Sequence, residues 1–330
     1  MRTGPVAGLF ENGSFRPSVP GRINPARPAR KEARPFRRAR RGANLGGPAA
    51  ADPPEEAQVP TRPETIDTPT SREVTATRVP AGEGAPQALA RRVAVEAPVG
   101  LVYGFQPYAV MMATPADLED FAVGFSLTEG VIRTPADIRG LKLEGGADGL
   151  TVTIDLVPDR LHALLANRRL RNTAGRTGCG VCGVEELSGL PLAEQRRGQG
   201  APVAPEAIQR ALAGLSESQP LNAATRAVHA AAWAAPDGTL LLVREDVGRH
   251  NALDKLIGAL LRAGTDPAGG FCVITSRLSF EMVEKAAAFG AGTLVAISAP
   301  TSLALDRARH HGMTLVAIAR GDGHMVFVGA

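Results

Sequence analysis

Apolar positions fall into a regular pattern only from about residue 90 onward. Short valine-rich runs at 92–96, 99–102 and 108–112 predict three strands. A helix start follows, with Thr114 as N-cap, Pro115 at the first helical position and Asp117 in the first turn. Leu118, Phe121, Ala122 and Phe125 then repeat at i, i+3, i+4 and i+7, and Gly130 stands where the helix would end. Thr134-Pro135-Ala136-Asp137 repeats the start signal and predicts a short second helix. Residues 150–156 alternate, with Val152, Ile154 and Leu156 on one face of a strand. Residues 161–170 and 202–215 read as helices.

From residue 226 the pattern becomes α/β. Strands are predicted at 227–233, 240–244, 271–275, 293–298, 313–319 and 325–328. Helices are predicted at 251–262, 280–289 and 302–311, with Gly312 just past the last. Such alternation implies right-handed crossovers and a largely parallel sheet with helices on its faces. Three regions result: a tail at 1–88, an α+β region at 89–200, and an α/β ligand-binding domain at 201–330.

Composition changes the picture mainly at the N-terminus. Residues 1–50 hold 11 Lys/Arg against 2 Asp/Glu, and 14 of the 26 prolines lie in residues 1–88. A stretch that polar cannot offset the entropy of ordering, so a disordered basic tail is expected. Subtracting it from the net charge of +4 leaves 26 basic against 31 acidic residues in the remainder. Nucleic-acid binding by the folded part is therefore not implied. No apolar stretch reaches membrane-spanning length and no signal sequence opens the chain, so a cytoplasmic protein with no membrane contact is expected. Three cysteines, with Cys272 in an apolar run, fit a reducing compartment.

Chemistry gathers in two places. Arg176-Thr177-Gly178-Cys179-Gly180-Val181-Cys182-Gly183 holds the other two cysteines among glycines, below Arg168, Arg169 and Arg171. Glycine suits close approach to the sulfurs, and cationic neighbours favour thiolate. A sulfur-carrying thiol or one that attacks an electrophile fits best. A zinc site would need four ligands, and one Cys-x-x-Cys supplies half, with only His229 and His250 as further candidates. The second place is the row of strand ends: 244–251, 275–277, 298–302 and 320–323. Ligands of α/β sheets bind beyond such ends, where helix N-termini and Arg249, Arg277 and Arg320 suit phosphate. Asp246 or Asp322 could accept from the paired donors of a guanine edge. His229, in an apolar strand, reads as a core histidine. No phosphate-loop or dinucleotide glycine fingerprint occurs.

These residues carry a resemblance. Arg244-Glu245-Asp246-Val247-Gly248-Arg249-His250-Asn251-Ala252-Leu253-Asp254-Lys255, together with Cys179-Gly180-Val181-Cys182-Gly183, resembles the FdhD/NarQ family of formate dehydrogenase accessory sulfurtransferases. So do 279–283, 299–304 and Ala113-Thr114-Pro115. The resemblance runs from about residue 92 to the C-terminus. It departs at Arg226-Ala227, where the family usually has two glycines, and at Ser276, where it commonly has glycine.

The resemblance implies a cytidine deaminase-like, three-layer α/β/α fold and a homodimer. It implies sulfur taken as a persulfide from a cysteine desulfurase and passed to the molybdenum (or tungsten) bis(molybdopterin guanine dinucleotide) cofactor of formate dehydrogenase. Cys179 would carry the persulfide with Cys182 as partner. The guanine dinucleotide would sit on Ile318, Ala319, Arg320, Gly321, Asp322 and Gly323, with Asp246, Arg249, His250, Arg277 and Thr301, and no tightly bound metal of the protein's own is expected. Two rivals stand beside this reading: a non-catalytic scaffold for cofactor or apo-enzyme, and a zinc deaminase. The second lacks its glutamate, because Ala230-Ala231 follow His229.

Overall fold

The computed structural model describes residues 68–166, 193 and 203–329. Its first element is an antiparallel ribbon, β1 (Ser71–Arg78) on β2 (Gln87–Ala94), in unbroken register. β1 lies inside the stretch 1–88 read from composition as tail. Most of its side chains are exposed, so the strand buries too little for apolar periodicity to reveal it.

A four-stranded sheet follows, ordered β4 (Gln106–Ala113), β3 (Ala97–Tyr103), β6 (Gly149–Leu156), β5 (Ile138–Gly146). Its buried face, with Val99, Leu101, Tyr103, Val152 and Ile154, packs under Phe121 and Phe125 of α1 (Leu118–Thr128). α1 starts three residues later than Pro115 would suggest. Asp117 takes the left-handed N-cap position (φ 53°), and the Thr114 hydroxyl accepts instead from the backbone N–H of Val247, 3.1 Å away. A long-range partner has claimed the local cap. The second helix start closes only one 3-10 turn, Pro135–Asp137, before the chain extends into β5.

After α2 (Pro158–Ala166), α3 (Pro205–Glu217) and α4 (Pro220–Thr225) comes the larger sheet. Its order is β12 (Gly323–Val328), β11 (Thr314–Arg320), β10 (Thr293–Ala296), β9 (Phe271–Ile274), β7 (His229–Ala234), β8 (Leu240–Asp246). Only β9, β10 and β11 run parallel, joined through α6 (Phe280–Phe289) and α7 (Ser302–His311). The expected largely parallel sheet is therefore mixed. β7–β8 and β11–β12 are hairpins, and a tight turn can join only antiparallel neighbours. α5 (Arg249–Arg262) returns the chain from the edge strand β8 to β9.

Alternation along these strands separates two apolar layers. Ala231, Trp233, Cys272, Ile274, Leu294 and Leu315 join the core shared with α1, α5 and α6. Ala230, Ala232, Phe271, Val273, Val295 and Val316 face Ile208, Ala211 and Leu215 of α3. Helices thus cover both faces. No helix among the described residues is long and apolar enough to cross a membrane.

The smaller sheet is held to the larger one through α1 and α5, which touch backbone to backbone. A Cβ on Gly124 would lie 1.8 Å from the carbonyl oxygen of Asp254, and one on Gly258 would lie 1.8 Å from that of Asp120. Only glycine permits this approach. Gly124→Ala should force the helices apart and destabilise the protein by at least about 1–3 kcal/mol, read from the urea midpoint.

Candidate functional site

Strand direction collects the polar junctions on one edge of the large sheet. β9, β10 and β11 end there, β8 ends there, and β7 and β12 begin there. The carboxyl-end rim anticipated from the sequence therefore exists. From β11 to β8 it crosses four strand spacings, roughly 19 Å at about 4.8 Å each.

Asp246 organises one end of this rim, and it does so from inside. Its side chain is fully buried and pairs with Lys255 Nζ at 2.7 Å, equally buried. Oδ2 also accepts from the Thr114 N–H (3.0 Å), while Oδ1 accepts from the Gly248 N–H (2.8 Å) and Asn251 Nδ2 (3.0 Å). That occupies the acceptor capacity of a carboxylate. Asp246 consequently has nothing left for a guanine edge, and the assignment of this residue as a ligand contact is corrected to a positioning role. Lys255 and Asn251 also bond the Thr114 and Met112 carbonyls, so the start of α5 is tied to the end of β4. Glu245 accepts from the N–H groups of Leu221 and Asn222, and Arg244 bonds Asp120. Much of the twelve-residue run from Arg244 to Lys255 is thus an internal polar joint. His250, on the same turn of α5, is buried.

Five of the other expected rim residues are exposed, and the rest are partly or fully buried. Arg249 opens α5, and among the described residues its Nε has no hydrogen-bond partner. Arg277, exposed, follows β9; no described carboxylate pairs with either arginine. Thr301 is exposed and caps α7, accepting from the Ala304 N–H at 3.3 Å. Arg320, Gly321 and Asp322 are exposed at the β11–β12 turn, Gly323 is half-buried and Ala319 is buried.

The segment leading into that turn is distorted. Ile318 has φ 52°, a left-handed conformation unfavourable for a β-branched residue, beside a break in the β11–β12 register between Ala317 and Arg320. Its N–H bonds the Ser298 carbonyl of the neighbouring junction. Strain of this kind persists only where surrounding structure enforces it, and it concentrates at ligand sites. Sequence reasoning gave no hint of it.

His229 was also misjudged. It begins β7 directly opposite Asp246, half-buried, at the rim. Burial first, then the charges of Arg249 and Arg277, hold its pKa below the ordinary histidine value, with Asp246 opposing. Its apolar neighbours along the strand hid its place at the end of the sheet.

Cys179 and Cys182 lie outside the described residues. The N–H of Ala193 bonds Glu284 Oε2 at 2.7 Å. Glu284 is buried on α6 and is held by Arg307 and His311 of α7. Cys272 is a different kind of cysteine. It is buried in β9, and loss of solvent pushes its thiol up to about 12. Among the described residues no three His, Cys, Asp or Glu side chains converge as metal ligands.

The FdhD/NarQ family model matches residues 94–330, the whole of both sheets apart from the first ribbon. The chain belongs to the FdhD/NarQ family. Among its FdhD relatives, the sulfur carrier protein FdhD of Xanthomonas euvesicatoria pv. vesicatoria (strain 85-10) is 48% identical over 235 residues, 71% of this chain and 83% of that protein. That of Bordetella petrii is 47% identical over 236 residues, covering 72% and 84%. A crystal structure from Desulfotalea psychrophila, provisionally assigned as a formate dehydrogenase accessory protein, superposes with TM-score 0.59 at 25% identity, covering 79% of this chain and 98% of that one.

Two outcomes are expected. Lys255→Met strands the Asp246 carboxylate in the core and should cost about 3–5 kcal/mol by urea denaturation. N-ethylmaleimide at pH 8 should leave Cys272 unmodified in the native protein and label it after unfolding, read by peptide mass spectrometry, since a thiol titrating near 12 holds its proton at that pH.

Proposed function

We propose that this FdhD family member is a sulfur carrier of the cytoplasm, acting as a homodimer. It takes sulfur from a cysteine desulfurase and passes it to the molybdenum or tungsten bis(molybdopterin guanine dinucleotide) cofactor that formate dehydrogenase requires. The observation that supports this best is the rim. Two arginines without carboxylate partners among the described residues and a strained strand end stand on the edge where an α/β sheet binds its ligands, in a chain nearly half identical to proteins named sulfur carriers. The rim residues Arg249, Arg277, Thr301 and Ile318–Gly323 would hold the guanine dinucleotide as cargo, with the arginines on its phosphates.

The carrier step uses the two remaining cysteines. A Cys179 thiolate attacks the outer sulfur of the donor's persulfide; a new S–S bond forms, the donor's breaks, and the donor leaves as a thiolate. Attack by Cys182 on the inner sulfur then releases sulfide towards the acceptor and leaves a disulfide, which a cellular dithiol must reduce. Cys272, buried and protonated, is unsuited to either step.

Cys179→Ala/Cys182→Ala, incubated with a cysteine desulfurase and cysteine, should show no added sulfur by intact mass, whereas the wild type gains 32 Da per sulfur atom (about one sulfur per carrier cysteine). In cells lacking the wild-type protein, the double variant should restore less than about 1% of formate oxidation, the loss expected of a removed nucleophile. Full restoration would show instead a scaffold that needs no sulfur chemistry.

A further inference from the structure

We infer that His229 is a further recognition residue of the rim, taking up a proton when a doubly negative pyrophosphate ester settles between Arg249 and Arg277. The inference rests on the phosphate-binding reading of the rim given above and adds a residue and a proton to it. Sheet order carries the argument. β7 lies between β8 and β9, so the imidazole at its first residue stands between the two junctions that bear Arg249 and Arg277. Ala230 bonds Thr275 on the β9 side, Asp246 pairs with His229 on the β8 side, and both contacts hold the strand end in place.

Among the described residues, three charged groups act on the imidazole. Arg249 faces it from the start of α5, Arg277 from the β9–α6 junction, and Asp246 from the end of β8. Lys255 neutralises Asp246 at 2.7 Å, which leaves two positive charges without a carboxylate partner among the described residues beside a half-buried imidazole. A pyrophosphate esterified at both ends carries two negative charges and matches them. Burial and the two guanidinium groups hold the pKa of His229 below the ordinary histidine value. A bound pyrophosphate offsets the guanidinium charges that lower it, so the folded pKa of His229 rises on binding. Affinity should then increase as pH falls through the window between the empty and the occupied values, and stay flat above and below it.

GDP-mannose is the probe, because its pyrophosphate is esterified at both ends and does not itself titrate between about pH 5 and 8, the range in which histidine changes charge. Titration calorimetry of the full chain in two buffers of different ionisation enthalpy should show proton uptake on binding. Affinity should tighten by at most about tenfold per pH unit as pH falls. His229→Gln keeps a hydrogen-bonding side chain and removes the titration, and it should bind with an affinity independent of pH and without proton uptake. Binding by the wild type with neither proton uptake nor pH dependence overturns the inference and leaves the phosphate reading standing. Persistence of the full pH dependence in His229→Gln overturns it equally. Absence of GDP-mannose binding at every pH removes the phosphate reading of the rim itself, and this inference with it.

Discussion

Asp246 and Lys255 are both inaccessible to water, and the arrangement of the rim follows from their contact. Two charges taken out of water cost several kcal/mol each, and that cost is offset only when every remaining lone pair and proton finds a partner. Here they do. Thr114, Gly248 and Asn251 complete the carboxylate, and the Thr114 carbonyl takes a further proton of the ammonium. Because the partners come from the end of β4, the end of β8 and the first turns of α5, the pair fixes three elements against each other. Arg249 is oriented by that joint, and His229 is set opposite it.

Fixing the joint also explains why two sheets behave as one body. α1 fits between the smaller sheet and α5, and its contact with α5 is close enough that only glycine serves at 124 and 258. A second buried pair, Asp254 with Lys285 and the Thr128 hydroxyl, links α5, α6 and the end of α1 on the same side. Charge assists these hydrogen bonds where no water competes, so they specify one packing among the many that apolar contact alone would tolerate. The rim is left with arginines that the interior does not consume. Strain at Ile318 and the helix start at Thr301 stand on the same edge.

Much of the fold was legible before the structure. α5, α6 and α7 match the apolar periods of 251–262, 280–289 and 302–311 closely, since a helix buried along one stripe writes its period into the sequence. Misreadings share a cause. Thr114 and Pro115 announce a helix, yet the threonine is drawn off by Val247, so α1 begins later. The sheet reads as parallel because helices alternate with strands, but the two hairpins are set by short turns whose pairing periodicity does not encode. β1 is missed because a ribbon exposed on most of its surface has no apolar face to display.

By itself the sequence determined which residue types this protein has for chemistry and which stretches are helical: two cysteines among glycines, arginines at strand ends, and apolar stripes at helical spacing. Family membership was legible in the run from Arg244 to Lys255 as well. Only the tertiary structure decided what those polar residues do. Asp246 became an internal strut, His229 left the core for the rim, and Ile318 was forced into the left-handed region. The physical reason is that a polar side chain's role depends on whether water or another charge stands next to it, and that neighbour comes from strands tens of residues away.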